Sequence, residues 1–218
     1  MRTDDIADVK RTLWSAADEV RANSRLTPAE FRGPALGLIF LAYAEQRFEA
    51  VRPELEAEAS VRNPVTPDDY RARSVLYLAE EARLSFLVRL PEQEDLGAAL
   101  DTAMRLVEAH NPELKDVLPK AYQRVERSTL TEMLRLFSPL PRKLSGDAFG
   151  LIYEDFLSNF AMAEGRLGGE FMGFGGDDAD GFLAHDRRPE HVLAKLLELE
   201  AFEHLHVGVE RHVRGTDL

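Results

Sequence analysis

Apolar residues recur at spacings of three and four along most of this chain, and that period predicts helices. Ile6, Val9, Leu13, Ala17 and Val20 form a first stripe, with Trp14 beside it as a core anchor rather than a ligand-stacking group. Thr27-Pro28-Ala29-Glu30 then reads as a helix start. Thr27 can cap, Pro28 suits the first helical position, and Glu30 completes a capping box. The helix that follows carries Leu36, Leu38, Ile39, Phe40, Leu41 and Tyr43, apolar almost all round, which predicts the central element of the core. Gly33-Pro34 is expected to kink its first turns and Pro53 to limit its far end.

Residues 62–67, with two prolines and an asparagine, read as a loop. Leu96, Leu100, Ala103, Met104 and Val107 form a further stripe, closed by Asn111-Pro112. Thr129 and Glu132 read as a second capping box ahead of Leu130, Met133, Leu134 and Phe137. The broadest stripe joins Phe149, Ile152, Tyr153, Phe156, Leu157 and Phe160. Ser145 and Asp147 are its cap candidates, and Gly165, Gly168 and Gly169 are expected to stop it in a glycine-rich turn. Val192, Leu196, Leu199 and Phe202 suggest one short helix further on. Through residue 165 there is no internal repeat and no long strand alternation. The expected fold class is therefore all-α, a bundle of roughly six to eight helices with an irregular Gly/Asp/His-containing C-terminal tail.

Charge changes the picture of partners. The net charge is −12, and an acidic chain is a poor general nucleic-acid binder, because counterion release rewards lysine and arginine on phosphates. DNA contact then needs a local basic patch or a partner subunit. Lys115, Lys120, Arg124 and Arg127 lie close together among Asp116 and Glu126, and Arg135, Arg142 and Lys143 follow. A solvated helical face is the plainer reading of this run. As DNA-contact candidates, Lys115, Lys120, Arg124, Arg127, Arg142 and Lys143 would position the backbone rather than read bases.

Cysteine is absent, which excludes disulfides and thiolate metal sites and is compatible with the cytoplasm, the expected location. Asp4, Asp5 and Asp8 occupy the region where a signal peptide would need an apolar run, and the apolar segment 35–44 is too short to span a bilayer. Beyond residue 171, Gly173, Gly175 and Gly176 are followed by Asp177 and Asp178, whose charge would repel a phosphate. A calcium loop there would begin at Gly176 and end at Arg187, both wrong for the ion. His185, His191, His204, His206 and His212 lack a third ligand at a clear spacing, so no metal site is expected.

Several segments, in order, resemble the methylation subunit of type I restriction–modification systems. Leu13-Trp14 with Ala16, Ala17 and Asp18 is similar to an LW-x-AAD pattern, and GLIFLAYAEQRFE at 37–49 to LGLIFLKYISDRFE. Residues 77–83 resemble the VPEEARW turn, with Ala79 for proline and Leu84 for tryptophan. NPELKDVLPKAY at 111–122 is similar to NP-x-LKGVLPK-x-Y, and EGRLGGEF at 164–171 to the family's EG-x-x-GGEF. GGEF also marks diguanylate cyclases, but that domain is α/β with the motif on a hairpin, whereas here it follows a strong helix. The resemblance covers about residues 10–171.

This likeness implies a helical domain at 1–165, a junction at 166–171 and a divergent tail at 172–218. In the family such a domain helps close the complex around DNA and meets the specificity subunit, alongside the restriction subunit. The whole subunit transfers a methyl group from S-adenosylmethionine to the exocyclic amine of adenine, after the base is flipped out of the stack. Gly168, Gly169, Glu170 and Phe171 only adjoin the family's cofactor pocket. The Tyr-Thr-Pro expected next is Met172-Gly173-Phe174 here, and neither a DPACGSGG-like loop nor NPPF or NPPY is present. The chain is thus expected to be truncated or frame-shifted after Phe171, with no catalytic residue, no cofactor and no methyl transfer of its own. Two other readings stay open: half of a split methyltransferase, and a helical interaction module with no DNA role.

Overall fold

The computed structural model describes residues 3–62, 64–139 and 146–170. Among these there are seven α-helices and no strand, so the all-α expectation holds. They are α1 (Thr3–Ser24), α2 (Pro28–Glu58), α3 (Pro67–Arg71), α4 (Leu84–Leu87), α5 (Leu96–His110), α6 (Arg127–Phe137) and α7 (Gly146–Glu170). Three single 3-10 turns join them at Glu80–Ala82, Pro112–Leu114 and Tyr122–Arg124.

α2 is the axis of the bundle. All ten residues from Ala35 to Ala44 are buried, as a helix apolar on every side requires. α7 and α6 lie against α2, and α1 closes the group by packing on α6 and α7. Aromatic rings lock these contacts. Trp14 of α1 meets Phe156 and Phe160 of α7 edge-on, at 5.5 and 5.0 Å between centroids. Tyr43 of α2 stacks on Phe149 at 4.0 Å, and Phe137 of α6 touches Phe156 at 6.1 Å. Trp14 therefore packs as the core anchor expected from its place beside the first stripe. A second cluster forms at the far end of α2, where Phe48 stacks on Tyr70 of α3 and Arg83 lies 4.7 Å above the Phe48 ring.

The start of α2 is the capping box read from the sequence, with Thr27 accepting from the Glu30 N–H and Glu30 accepting from the Thr27 N–H. Three expectations fail. Pro53 does not limit α2, which continues to Glu58. Proline removes one donor, but Leu55 beyond it is buried and Arg52 pairs with Glu49 and Glu56 on either side, which holds the last turns. Thr129 and Glu132 form no capping box either. α6 begins earlier, at Arg127, with Glu126 as its N-cap, and Thr129 is buried inside the first turn.

The third failure concerns α7. Its helix runs through Gly165, Gly168 and Gly169 to Glu170, so the expected glycine-rich turn is helical. Glycine costs about 1 kcal/mol per helical position, and a helix already nucleated by buried turns extends one bond per residue. Asp147 sits inside the first turn rather than capping it. Ser145, Phe171 and the short helix suggested around Val192–Phe202 lie outside the described residues.

Arg25 follows α1 at φ 63°, the left-handed position where glycine is favoured. Arg25→Gly should therefore raise stability by about 0.5–1 kcal/mol, seen as a higher melting temperature by circular dichroism.

Candidate nucleic-acid interface

The basic run identified in the sequence lies on an irregular segment, residues 111–126, that is strapped along α5. Three polar side chains of α5 and its C-cap hold it. Asn111 accepts from the Tyr77 N–H and donates to the Tyr77 carbonyl, both at 3.0 Å, and donates to the Val107 carbonyl at 2.7 Å. Glu108 accepts from the Leu118 N–H at 2.9 Å and from Lys120 Nζ at 2.6 Å. Asp101, buried, accepts from the Tyr122 N–H at 3.0 Å and from Gln123 Nε2 at 3.2 Å. Each satisfies backbone or side-chain donors that an irregular buried segment would otherwise leave unpaired.

The strap ends in an anchor. Tyr122 is fully buried, and its hydroxyl donates to the Pro34 carbonyl of α2 at 3.2 Å. Burial pushes its phenol well above the ordinary range, with the nearby Asp101 carboxylate adding to the shift, so the hydroxyl stays a donor. Pro119 and Tyr122 press against Gly37, where a Cβ would come within 2.5 Å of Pro119 Cγ. The motif NPELKDVLPKAY is in this way a structural strap. Asp116 within it adopts φ 61°, at the position where the family pattern has glycine.

The candidate DNA contacts divide accordingly. Lys120 is committed to Glu108 and also donates to the Leu118 carbonyl at 3.3 Å. Arg127 donates to the carbonyls of Pro91 (3.0 Å) and Glu94, clasping the turn before α5. Lys115 and Arg124 are exposed, beside exposed Asp116 and Glu126. Arg142 and Lys143 lie outside the described residues. Among the described residues, no three acidic or histidine side chains converge as a metal site would require. No described helix is long and apolar enough to cross a membrane.

The sequence reading assigned no role to Asp101 or Glu108, and it read Asn111 as a helix end and motif position rather than as a clasp. Their signal was there: three polar groups at i, i+7 and i+10 on the stripe that Leu100, Met104 and Val107 otherwise make apolar. Lys120→Ala should test the division. It leaves the Glu108 carboxylate, only 10% exposed, without its cation, and should cost about 1–3 kcal/mol of stability. Lys115→Ala, at an exposed site, should change stability by less than about 0.5 kcal/mol. Chemical denaturation of both variants checks this.

Comparison with known proteins fits this architecture. Residues 9–137, the span from α1 to the end of α6, match the profile of the HsdM N-terminal domain. The chain belongs to the HsdM N-terminal domain family. It is also 32% identical over 184 residues to the type I restriction enzyme MjaIX methylase subunit of Methanocaldococcus jannaschii. That alignment covers 75% of this chain and 33% of the relative, so the chain spans about a third of that protein's length. The ordered motifs read from the sequence thus identified the family. In this HsdM N-terminal domain the α7 residues Gly168, Gly169 and Glu170 form the end of the described helix.

Between the turn before α5 and the start of α6 the domain carries an open groove of about 270 Å³. Glu92, Glu94, Asp95, Gln123 and Arg127 line it, with Val125 and Leu130 at its floor.

Proposed function

We propose that this HsdM N-terminal domain works as an assembly module of a type I restriction–modification methylase, joining the specificity subunit and helping the complex close on DNA. The observation that carries the reading is the match of the HsdM N-terminal profile across α1–α6. The relative's name, a type I restriction enzyme methylase subunit, supports the same setting. The architecture is consistent with an assembly role, since Asp101, Glu108 and Asn111 hold the strap in one fixed course along α5. Methyl transfer to adenine from S-adenosylmethionine is then the work of the methylase as a whole, and the junction Gly168, Gly169, Glu170 and Phe171 adjoins its pocket.

Two measurements test the proposal. Co-expression with the specificity subunit of the same system should give a stable complex by gel filtration, and failure to associate would overturn the reading. DNA binding by the isolated chain should be weak and reduced by salt, with a shallow slope because the phosphate contacts are few. Lys115 and Arg124 together should contribute a log–log salt slope of magnitude about 2. Lys115→Ala should flatten it by about 0.9 in fluorescence anisotropy. A slope unchanged in that variant would remove Lys115 from the interface.

A further inference from the structure

Two large apolar side chains that stay exposed lie on one line of α7. Leu151 is 46% and Met162 54% exposed, and the two stand three helical turns apart. Asp155 and Ser158 fall between them on the same line. Asp155 is already engaged: it pairs with Lys10 of α1 at 2.8 Å and accepts from Asn159 Nδ2 at 3.1 Å. Ser158 and the neighbouring Ala161 are small and exposed, and the exposed carboxylate of Glu154 edges the line. A single exposed apolar residue is ordinary, but two in register along one helix make a strip that a second helix can cover.

The sequence supplies a stripe that matches it. Val192, Leu196, Leu199 and Phe202 follow one another at helical spacings, and Pro189 suits the first position of the helix they imply. As a helix, the stretch from Val192 to Phe202 would be about 15 Å long, and Leu151 to Met162 covers about 16 Å. We infer that residues 189–203, which lie beyond the described part of the chain, fold back as a helix and pack antiparallel on the Leu151–Met162 line of α7. The connector, residues 171–188, is rich in glycine, and a chain of that composition spans about 23 Å. Met162 lies about 12 Å along the axis before Glu170, and a packed helix sits about 8–10 Å to the side. The connector therefore reaches, and it delivers the Val192 end nearest Met162, which fixes the antiparallel sense. Lys195, at the edge of the stripe, brings a cation towards Glu154. The inference concerns the chain and itself, and stands apart from the assembly role proposed above.

The absence of cysteine makes cross-linking in the full chain a clean test. Ala161→Cys and His191→Cys, placed beside the two stripes, should join within one chain under a short bis-maleimide. Adding Leu196→Glu/Leu199→Glu to that pair should lower the yield about tenfold, because an undocked tether offers the thiols a smaller effective concentration. Leu151→Lys/Met162→Lys, at exposed positions of α7, should lower it equally while the bundle still melts cooperatively by circular dichroism. Val88→Lys, at an exposed apolar site on another helix end, should leave the yield unchanged. A yield untouched by both double substitutions overturns the inference, and so does an equal loss in the Val88 variant, which marks non-specific collapse. Cross-links between chains, with gel filtration at twice the monomer mass, would make a second copy the cover of α7 and overturn it too.

Discussion

Phe156→Ala is expected to destabilise the domain by about 3–5 kcal/mol, enough to abolish much of the stability of an ordinary domain. Phe156 is completely buried and sits where three helices meet. Its ring touches Trp14 of α1 at 5.5 Å, Phe137 of α6 at 6.1 Å and Phe160 of α7 at 6.2 Å. Truncation removes the transfer energy of the ring and leaves a cavity that rigid aromatic neighbours cannot fill. Chemical denaturation gives the number. A loss below about 1 kcal/mol would mean that α7 does not seat on α1 and α6 as described.

The second large effect concerns Gly37. A Cβ there would lie 2.2 Å from the Tyr122 hydroxyl oxygen and 2.5 Å from Pro119 Cγ, distances at which something must move. Neither neighbour yields easily. Tyr122 is fully buried and hydrogen-bonded to the Pro34 carbonyl, and Pro119 is held in the strap. Overpacking costs about 1–3 kcal/mol, and a buried hydroxyl pushed off its acceptor, the Pro34 carbonyl, adds about 1–3. The better helix propensity of alanine returns about 1 kcal/mol. Gly37→Ala should therefore destabilise by about 2–4 kcal/mol. Gly33→Ala, one turn earlier, is the internal control. Apart from its chain neighbours, its Cβ would meet Pro119 Cβ at 3.9 Å, an ordinary contact, and the propensity gain is set against the crowding of a side chain placed before Pro34, so stability should change by less than about 1 kcal/mol. Equal effects of the two substitutions would contradict the packing of the strap on α2.

Glycine at 37 shows how local and tertiary information divide. In the sequence it stands inside an apolar run and reads as a small cost within a helix. Only the fold reveals that the hydroxyl of a tyrosine 85 residues further along occupies the space a side chain would need. The run GLIFLAYAEQRFE announces a buried helix, because apolar residues on every side have no other stable place. It says nothing of what lies against it.

The sequence by itself determined the helices whose stripes are strong, the capping box at Thr27 and Glu30, the core roles of Trp14 and Phe156, and the family. Each rests on short-range patterns: a period of 3.6, a cap three residues from its partner, motifs in order. What the tertiary structure decided are the places where a weak local signal met a stronger distant contact. Pro53 and the glycines of α7 were read as stops, yet helix continues through them, because penalties of about 1–3 kcal/mol yield to turns anchored elsewhere. Lys120 and Arg127 look like neighbours in one basic patch. In the fold one pairs with Glu108 and the other grips the carbonyls of Pro91 and Glu94. A charge is visible in a sequence, but its partner depends on which segments are brought together, and here that is settled by how the strap lies along α5.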